Sequence, residues 1–215
     1  SSATGPAPNS SNVTQCRVPV HAGKSCAVAS ATTNVYLVGP MGSGKTSIGQ
    51  RVARRLGLEF FDCDHELEGQ TGASVNLIFD VEGEEGFRER ETRMLDQLTR
   101  RKGVLIATGG GVVLRKENRE LLRRNGLVVY MSTSVAQQLR RLSRDRTRPL
   151  LQTPDRKERL AQLAAQRNPL YEEVADIVFP SQSRSLESTA MALSDLIRAH
   201  WSGDEAATPM QQVTK

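Results

Sequence analysis

The run Gly39-Pro40-Met41-Gly42-Ser43-Gly44-Lys45-Thr46 satisfies the pattern G-x-x-x-x-G-K-[ST] in full. Each residue type in it has a chemical reason. Glycines let the backbone curl until successive N–H groups, from Gly42 through Ser47, face phosphate oxygens. A helix starting near Gly44 adds the positive end of its dipole. Lys45 is a point charge for the β- and γ-phosphates, and the Thr46 hydroxyl is a ligand for Mg²⁺. The motif implies a nucleoside triphosphate. It does not name a reaction, because GTPases, motors, helicases and small-molecule kinases all carry it.

Other groups narrow the chemistry. Asp62-Cys63-Asp64 closes the second apolar run. Two carboxylates at i and i+2 beside a triphosphate have natural work: one holds Mg²⁺ directly or through water, the other accepts or orients the proton of an attacking hydroxyl. They could equally be turn-forming, helix-capping aspartates. Arg88 lies in Glu84-Glu85-Gly86-Phe87-Arg88-Glu89-Arg90-Glu91, and that charge pattern reads as a solvated helix face, although its neighbour Phe87 could turn it toward a cleft. Gly109-Gly110-Gly111 follows the third apolar run, where consecutive glycines suggest close approach of backbone to a ligand. Arg140, Arg141, Arg144, Arg146 and Arg148 form either a nucleic-acid patch or a lid that closes an arginine over phosphate. No aromatic residue interrupts that run, which disfavours stacking on single strands. Arg167, read as standing at a helix end before Asn168-Pro169-Leu170-Tyr171, is a further anion contact.

The elements that must position these groups alternate. Val35–Val38, Leu58–Phe61, Val104–Ala107, Leu127–Met131 and Ile177–Phe179 read as buried strands. Between them, helices are predicted over 45–56, in a short segment after Ser74, over 84–100, 117–124, 134–142 and 155–166, with a last one over 186–201. This is the signature of an α/β fold with a parallel sheet covered on both faces. Residues 1–33 contain no acid and show no period, and they read as a disordered extension; residues 203–215 read as a flexible tail.

The chain has 215 residues and 38% hydrophobic content, enough for one domain. A net charge of +5 suits an anionic ligand. Three cysteines, Cys16, Cys26 and Cys63, without regular spacing make neither a disulfide framework nor a zinc site, and they fit a reducing cytoplasm. No apolar run has the length of a membrane span.

In their order, the phosphate loop, Asp-Cys-Asp, Glu-Gly-Phe-Arg, Gly-Gly-Gly, Arg-Pro-Leu-Leu and Arg-Asn-Pro-Leu-Tyr resemble shikimate kinase across roughly 34–201. The resemblance implies a P-loop, nucleoside-monophosphate-kinase-like fold: a five-stranded parallel sheet flanked by helices, in a kinase domain over 34–202 with a mobile lid at about 143–156. It implies transfer of the γ-phosphoryl of ATP to the 3-hydroxyl of shikimate. By position, Gly42, Ser43, Gly44, Lys45, Thr46 and Ser47 would wrap the phosphates, and Thr46 would ligate Mg²⁺ with Asp62 behind it. Asp64 would bind the substrate hydroxyls and act as base. Arg88 and Arg167 would clamp the carboxylate, and the backbone of Gly109, Gly110 and Gly111 would touch the same substrate. Arg148 would reach the phosphates, making Lys45, Asp64 and Arg148 the catalytic set. Arg141 and Arg184 would flank adenine. The expected partners are ATP and shikimate, with no nucleic acid and no membrane, for a cytoplasmic monomer. The rival readings are a kinase for another hydroxy acid such as gluconate, and a nucleic-acid-binding P-loop protein.

Overall fold

The computed structural model describes residues 33–143, 155–181 and 185–203. Five strands form one sheet: β1 (Asn34–Val38), β2 (Glu59–Asp62), β3 (Val104–Ala107), β4 (Gly126–Ser132) and β5 (Ile177–Pro180). All neighbours pair in parallel, in the order β2-β3-β1-β4-β5. Among the described residues, seven α-helices pack around it: α1 (Lys45–Leu56), α2 (Cys63–Thr71), α3 (Val75–Thr99), α4 (Lys116–Asn125), α5 (Val135–Arg141), α6 (Arg156–Val174) and α7 (Leu186–Ser202). The extension, the tail, most of the lid segment, Arg148 and Arg184 lie outside the described residues.

Strand side chains alternate between two cores, as a period of two requires. Tyr36, Val38, Ile106, Val128 and Tyr130 face Phe87, Met94, Leu95 and Leu98 of α3, Leu122 of α4 and Tyr171 of α6. Val35, Leu37, Leu105, Val129 and Met131 face Ile48 and Val52 of α1 and Ala190, Leu193 and Ile197 of α7. With both faces covered, the strands are continuous apolar runs, and each large side chain so buried contributes about 1.5–3 kcal/mol. A third, smaller cluster joins Met41 of the phosphate loop to Leu142, Leu160 and Leu163, at the ends of α5 and α6.

Three elements depart from the sequence expectation. The second strand is shifted by one residue, so Asp62 is its last member. The segment after it is helix α2, missed because it buries only Cys63 and Leu67. The two helices expected after Ser74 are both present within α3, separated at Gly83, whose non-helical φ of 72° and ψ of −177° suit only glycine. Helix α6 does not end at Gln166 but runs through Pro169 to Val174. Its buried positions Leu160, Leu163, Arg167, Tyr171 and Val174 make an unbroken helical stripe, and that packing outweighs the hydrogen bond the proline removes.

Candidate active site

The site forms along the edge where the parallel strands end. β1 delivers the phosphate loop there, β2 delivers Asp62, and β3 delivers the glycine triplet. β1 sits between β3 and β4, so the loops after β1 and β3 lead to opposite faces, leaving the crevice typical of open parallel sheets.

Helix α1 begins at Gly44, with φ of 92° and no side-chain cap. By contrast, side-chain oxygens of Asp62, Ser74, Ser134, Asp155 and Ser185 cap α2, α3, α5, α6 and α7. Helix α4 likewise has no side-chain cap, at Arg115, but only at α1 does an uncapped start coincide with a phosphate-loop motif, where a helix N-terminus favours an anion. Lys45 is buried, and its Nζ donates to the carbonyls of Gly39 at 2.7 Å and Pro40 at 2.9 Å. Thr46 and Ser47 are exposed at the start of the helix. Thr46 Oγ1 donates to Asp62 Oδ2 at 2.6 Å, while Asp62 Oδ1 accepts from the N–H groups of Asp64 at 3.1 Å and His65 at 3.4 Å. Asp62 thus caps α2, the capping reading of this aspartate, and also accepts from the loop threonine.

On the β2–β3 side lies a charged cluster. Arg88, Glu91 and Arg167 are 6%, 2% and 6% exposed. The reading of Arg88 as a solvated face residue is corrected: Arg88 Nη1 donates to Glu91 Oε2 at 2.8 Å, and its guanidinium carbon lies 5.1 Å from the centroid of the Phe87 ring. That ring stacks on Phe79 at 4.3 Å. Gly111 accommodates the Arg88 guanidinium, which a β-carbon there would displace. A β-carbon on Gly109 would lie 2.6 Å from Glu91 Oε1 and 3.0 Å from Asp64 Oδ1, so both carboxylates converge above that glycine. Gly110 offers its carbonyl to Arg167 Nη1 at 3.3 Å and to the Tyr171 hydroxyl. The glycines are space for charged groups, not a flexible loop. Arg167, expected at a helix end, sits inside α6 with Tyr171 one turn on.

Burial pushes the Glu91 carboxyl above the usual carboxylate range, against the pull of Arg88. Burial also lowers Arg167 from the ordinary guanidinium value. Arg88 Nε, Glu91 Oε1 and Arg167 Nε are buried without a hydrogen-bond partner. Buried polar atoms of that kind, gathered on one spot, mark a place made to hold a polar ligand. The buried Cys63 thiol faces the other way, into the core, and burial raises it well above its ordinary value. A raised thiol is a poor nucleophile.

On the β4–β5 side, Arg141 donates from Nη1 to the Gly42 carbonyl at 2.9 Å and to Ser181 Oγ at 2.8 Å. The structure therefore brings together Gly42, Ser43, Gly44, Lys45, Thr46, Asp62 and Arg141 as one group, and Asp64, Arg88, Gly109, Gly110, Gly111 and Arg167 as another. Sequence reasoning missed Glu91, Tyr171 and Ser181. Glu91 was legible: it falls four residues after Phe87 and three before Met94, inside the apolar stripe of α3. Tyr171 stands four residues after Arg167 in the same way. Ser181 carries no local signal.

The Thr46–Asp62 pair fits Mg²⁺. Both groups offer hard oxygen donors, and the hydroxyl gives its proton to the carboxylate, so its lone pairs remain for a cation. Among the described residues no cluster of three or more His, Cys, Asp or Glu could hold a metal. No helix among them is long and apolar enough to cross a membrane.

Comparison with known proteins agrees with this geometry. The family model described as shikimate kinase matches residues 41–198. The shikimate kinase of Actinobacillus succinogenes is 52% identical over 165 residues, covering 76% of this chain and 94% of that protein. A solved structure of shikimate kinase from Acinetobacter baumannii in complex with shikimate is 46% identical with a TM-score of 0.76, covering 79% of this chain and 94% of that one. A gluconokinase from Sinorhizobium meliloti, at 16% identity and a TM-score of 0.55, shares the fold alone. On its phosphate loop, its buried arginine–carboxylate cluster and these relatives, the chain belongs to the shikimate kinase family.

Proposed function

We infer that this chain is a shikimate kinase, transferring the γ-phosphoryl group of ATP to the 3-hydroxyl of shikimate to give shikimate 3-phosphate and ADP. The observation that carries this reading is the cluster of buried Arg88 and Arg167 with half-buried Asp64 beside the phosphate loop. Two planar cations suit one carboxylate, and an aspartate beside them suits a hydroxyl.

In this reading Arg88 and Arg167 clamp the substrate carboxylate, with Glu91 holding Arg88 in place. The Gly109–Gly111 backbone seats the ring. Asp64, on the first turn of α2, accepts or orients the proton of the attacking hydroxyl. Lys45 exchanges its loop carbonyls for β- and γ-phosphate oxygens. Gly42, Ser43, Gly44, Thr46 and Ser47 supply N–H groups to the phosphates. Thr46 and Asp62 would hold Mg²⁺, which when bound neutralises charge building on the phosphate oxygens. Arg141 and Arg184 are assigned to the adenine, and Arg148, in a lid at about 143–156, to the transferring phosphate. Closure of that lid would keep water from accepting the phosphoryl group. The same reading makes the enzyme a cytoplasmic monomer acting on ATP and shikimate without nucleic acid.

The test is ADP release from Mg·ATP with shikimate, with gluconate and with no acceptor. Strong stimulation by shikimate alone is expected. Failure of shikimate to stimulate folded protein that still binds ATP overturns the substrate assignment.

A further inference from the structure

Ser181 follows β5 and is 2% exposed. Its place is fixed by backbone, because its N–H donates to the carbonyl of Ser132, the last residue of β4, at 2.8 Å. Its hydroxyl is used twice. Ser181 Oγ donates to the Ser43 carbonyl of the phosphate loop at 2.8 Å and accepts from Arg141 Nη1 at 2.8 Å. Arg141 Nη2 adds a longer bond of 3.3 Å to the Ser181 carbonyl, and Nη1 also reaches the Gly42 carbonyl. Leu142, the next residue, packs over Gly42, where an added β-carbon would lie 3.2 Å from its Cγ. One buried hydroxyl therefore joins three segments distant in sequence: the phosphate loop, the end of α5 and the exit of β5.

The position of this junction says what it serves. The acceptor cluster of Asp64, Arg88 and Arg167 stands on the β2–β3 side of the phosphate loop. In-line transfer puts the leaving nucleotide opposite the acceptor. The nucleoside must then extend over the β4–β5 side, where Arg141 and Ser181 lie. Guanidinium hydrogen bonds are made in the plane of the group, so bonds from two of its nitrogens fix that plane. A planar cation held by its edge is what a base stacks against.

We propose that Ser181 is a positioning residue for the nucleotide: its hydroxyl locks the plane of the Arg141 guanidinium and ties it to the crest of the phosphate loop, setting base and phosphate contacts in register. The inference rests on the assignment of this side of the site to ATP. It concerns a residue that touches no substrate itself.

The experiment compares wild type, Ser181→Ala, Arg141→Ala and the double variant in steady-state kinetics, with Tm measured in parallel. Ser181→Ala should raise KM for ATP about tenfold, as loss of a charge-assisted hydrogen bond does, and leave KM for shikimate within about twofold. The double variant should be no worse than Arg141→Ala, because the serine acts through the arginine. A structural role alone would lower Tm without separating the two KM values. An unchanged KM for ATP, additive effects in the double variant, or equal rises in both KM values would each overturn the proposal. If Ser181→Ala does not fold, Ser181→Thr keeps the hydroxyl and Arg141→Ala keeps the Ser181–Ser43 bond. A KM for ATP near wild type in the threonine variant, with a rise in the arginine variant, then upholds the proposal, and the reverse order sinks it. Wild type that turns over ATP with shikimate while Ser181→Ala keeps its KM refutes this inference alone; wild type without that turnover refutes the nucleotide assignment beneath it.

Discussion

The two ends of the sheet treat buried polar groups in opposite ways. At the end where the strands begin, Asn34 is 5% exposed, and both ends of its amide are used. Nδ2 donates to the Arg101 carbonyl at 2.7 Å and to the Tyr36 hydroxyl at 3.2 Å, while Oδ1 accepts from the Val104 N–H at 3.2 Å. The Tyr36 hydroxyl in turn donates to the Asn125 carbonyl at 3.1 Å, and Asp176 Oδ2 accepts from the Val128 N–H at 2.9 Å. At the end where the strands stop, Arg88, Glu91 and Arg167 are as deeply buried, yet each keeps an atom without a partner. An unsatisfied buried polar atom costs about 1–3 kcal/mol. Asn118, Arg119, Thr133 and Trp201 also keep such an atom, but only in this cluster do three charged side chains do so together. One end is built to hold the sheet together, and the other is built to bind.

Three substitutions probe this contrast. The largest effect belongs to Lys45→Ala, which removes a charge from the transferring phosphate; kcat should fall about a thousandfold or more while Tm changes little. Near-normal kcat would remove Lys45 from the chemistry. Next, Arg167→Ala takes away half of the proposed carboxylate clamp. It should cost about 2–4 kcal/mol of substrate binding, read as a large rise in KM for shikimate with KM for ATP nearly unchanged. Equal rises in both would mean that Arg167 holds the fold of the edge and not the acid. The smallest effect on activity belongs to Asn34→Ala. It strands the Arg101 carbonyl and the Val104 N–H, so stability should drop by about 2 kcal/mol, or roughly 4–8 °C in Tm, with kcat and both KM values intact at 25 °C. A kinetic change without a Tm change would erase the distinction between the two ends.

The sequence carried the fold because its strands are unbroken apolar runs and its phosphate loop is a local motif. Helix α1 is bounded as periodicity and Gly57 predict. What local pattern could not carry is burial that depends on distant partners. Arg88 looks like one more charge among charges until Gly111, twenty-three residues on, makes room for its guanidinium. Arg167 precedes a proline, and only the stripe running on to Val174 shows that the helix continues. Helix α2 has too few apolar residues to announce itself and depends on Asp62 for its start. Ser181 is invisible locally, since its partners Ser43 and Arg141 are 138 and 40 residues away.

The place of β1 in the middle of the sheet also has a bearing on synthesis. It is made before the other four described strands, yet Val35 pairs with Leu105 on one side and Leu127 on the other. Until the chain has been made as far as β3, four consecutive apolar residues have no strand to pair with, and one edge of β1 stays open until β4 is made. Such long-range pairing is slow to form and leaves a sticky segment exposed in the meantime. The nucleotide loop, though encoded early, becomes a binding site late, and a nascent chain halted before about residue 132 should not retain ATP.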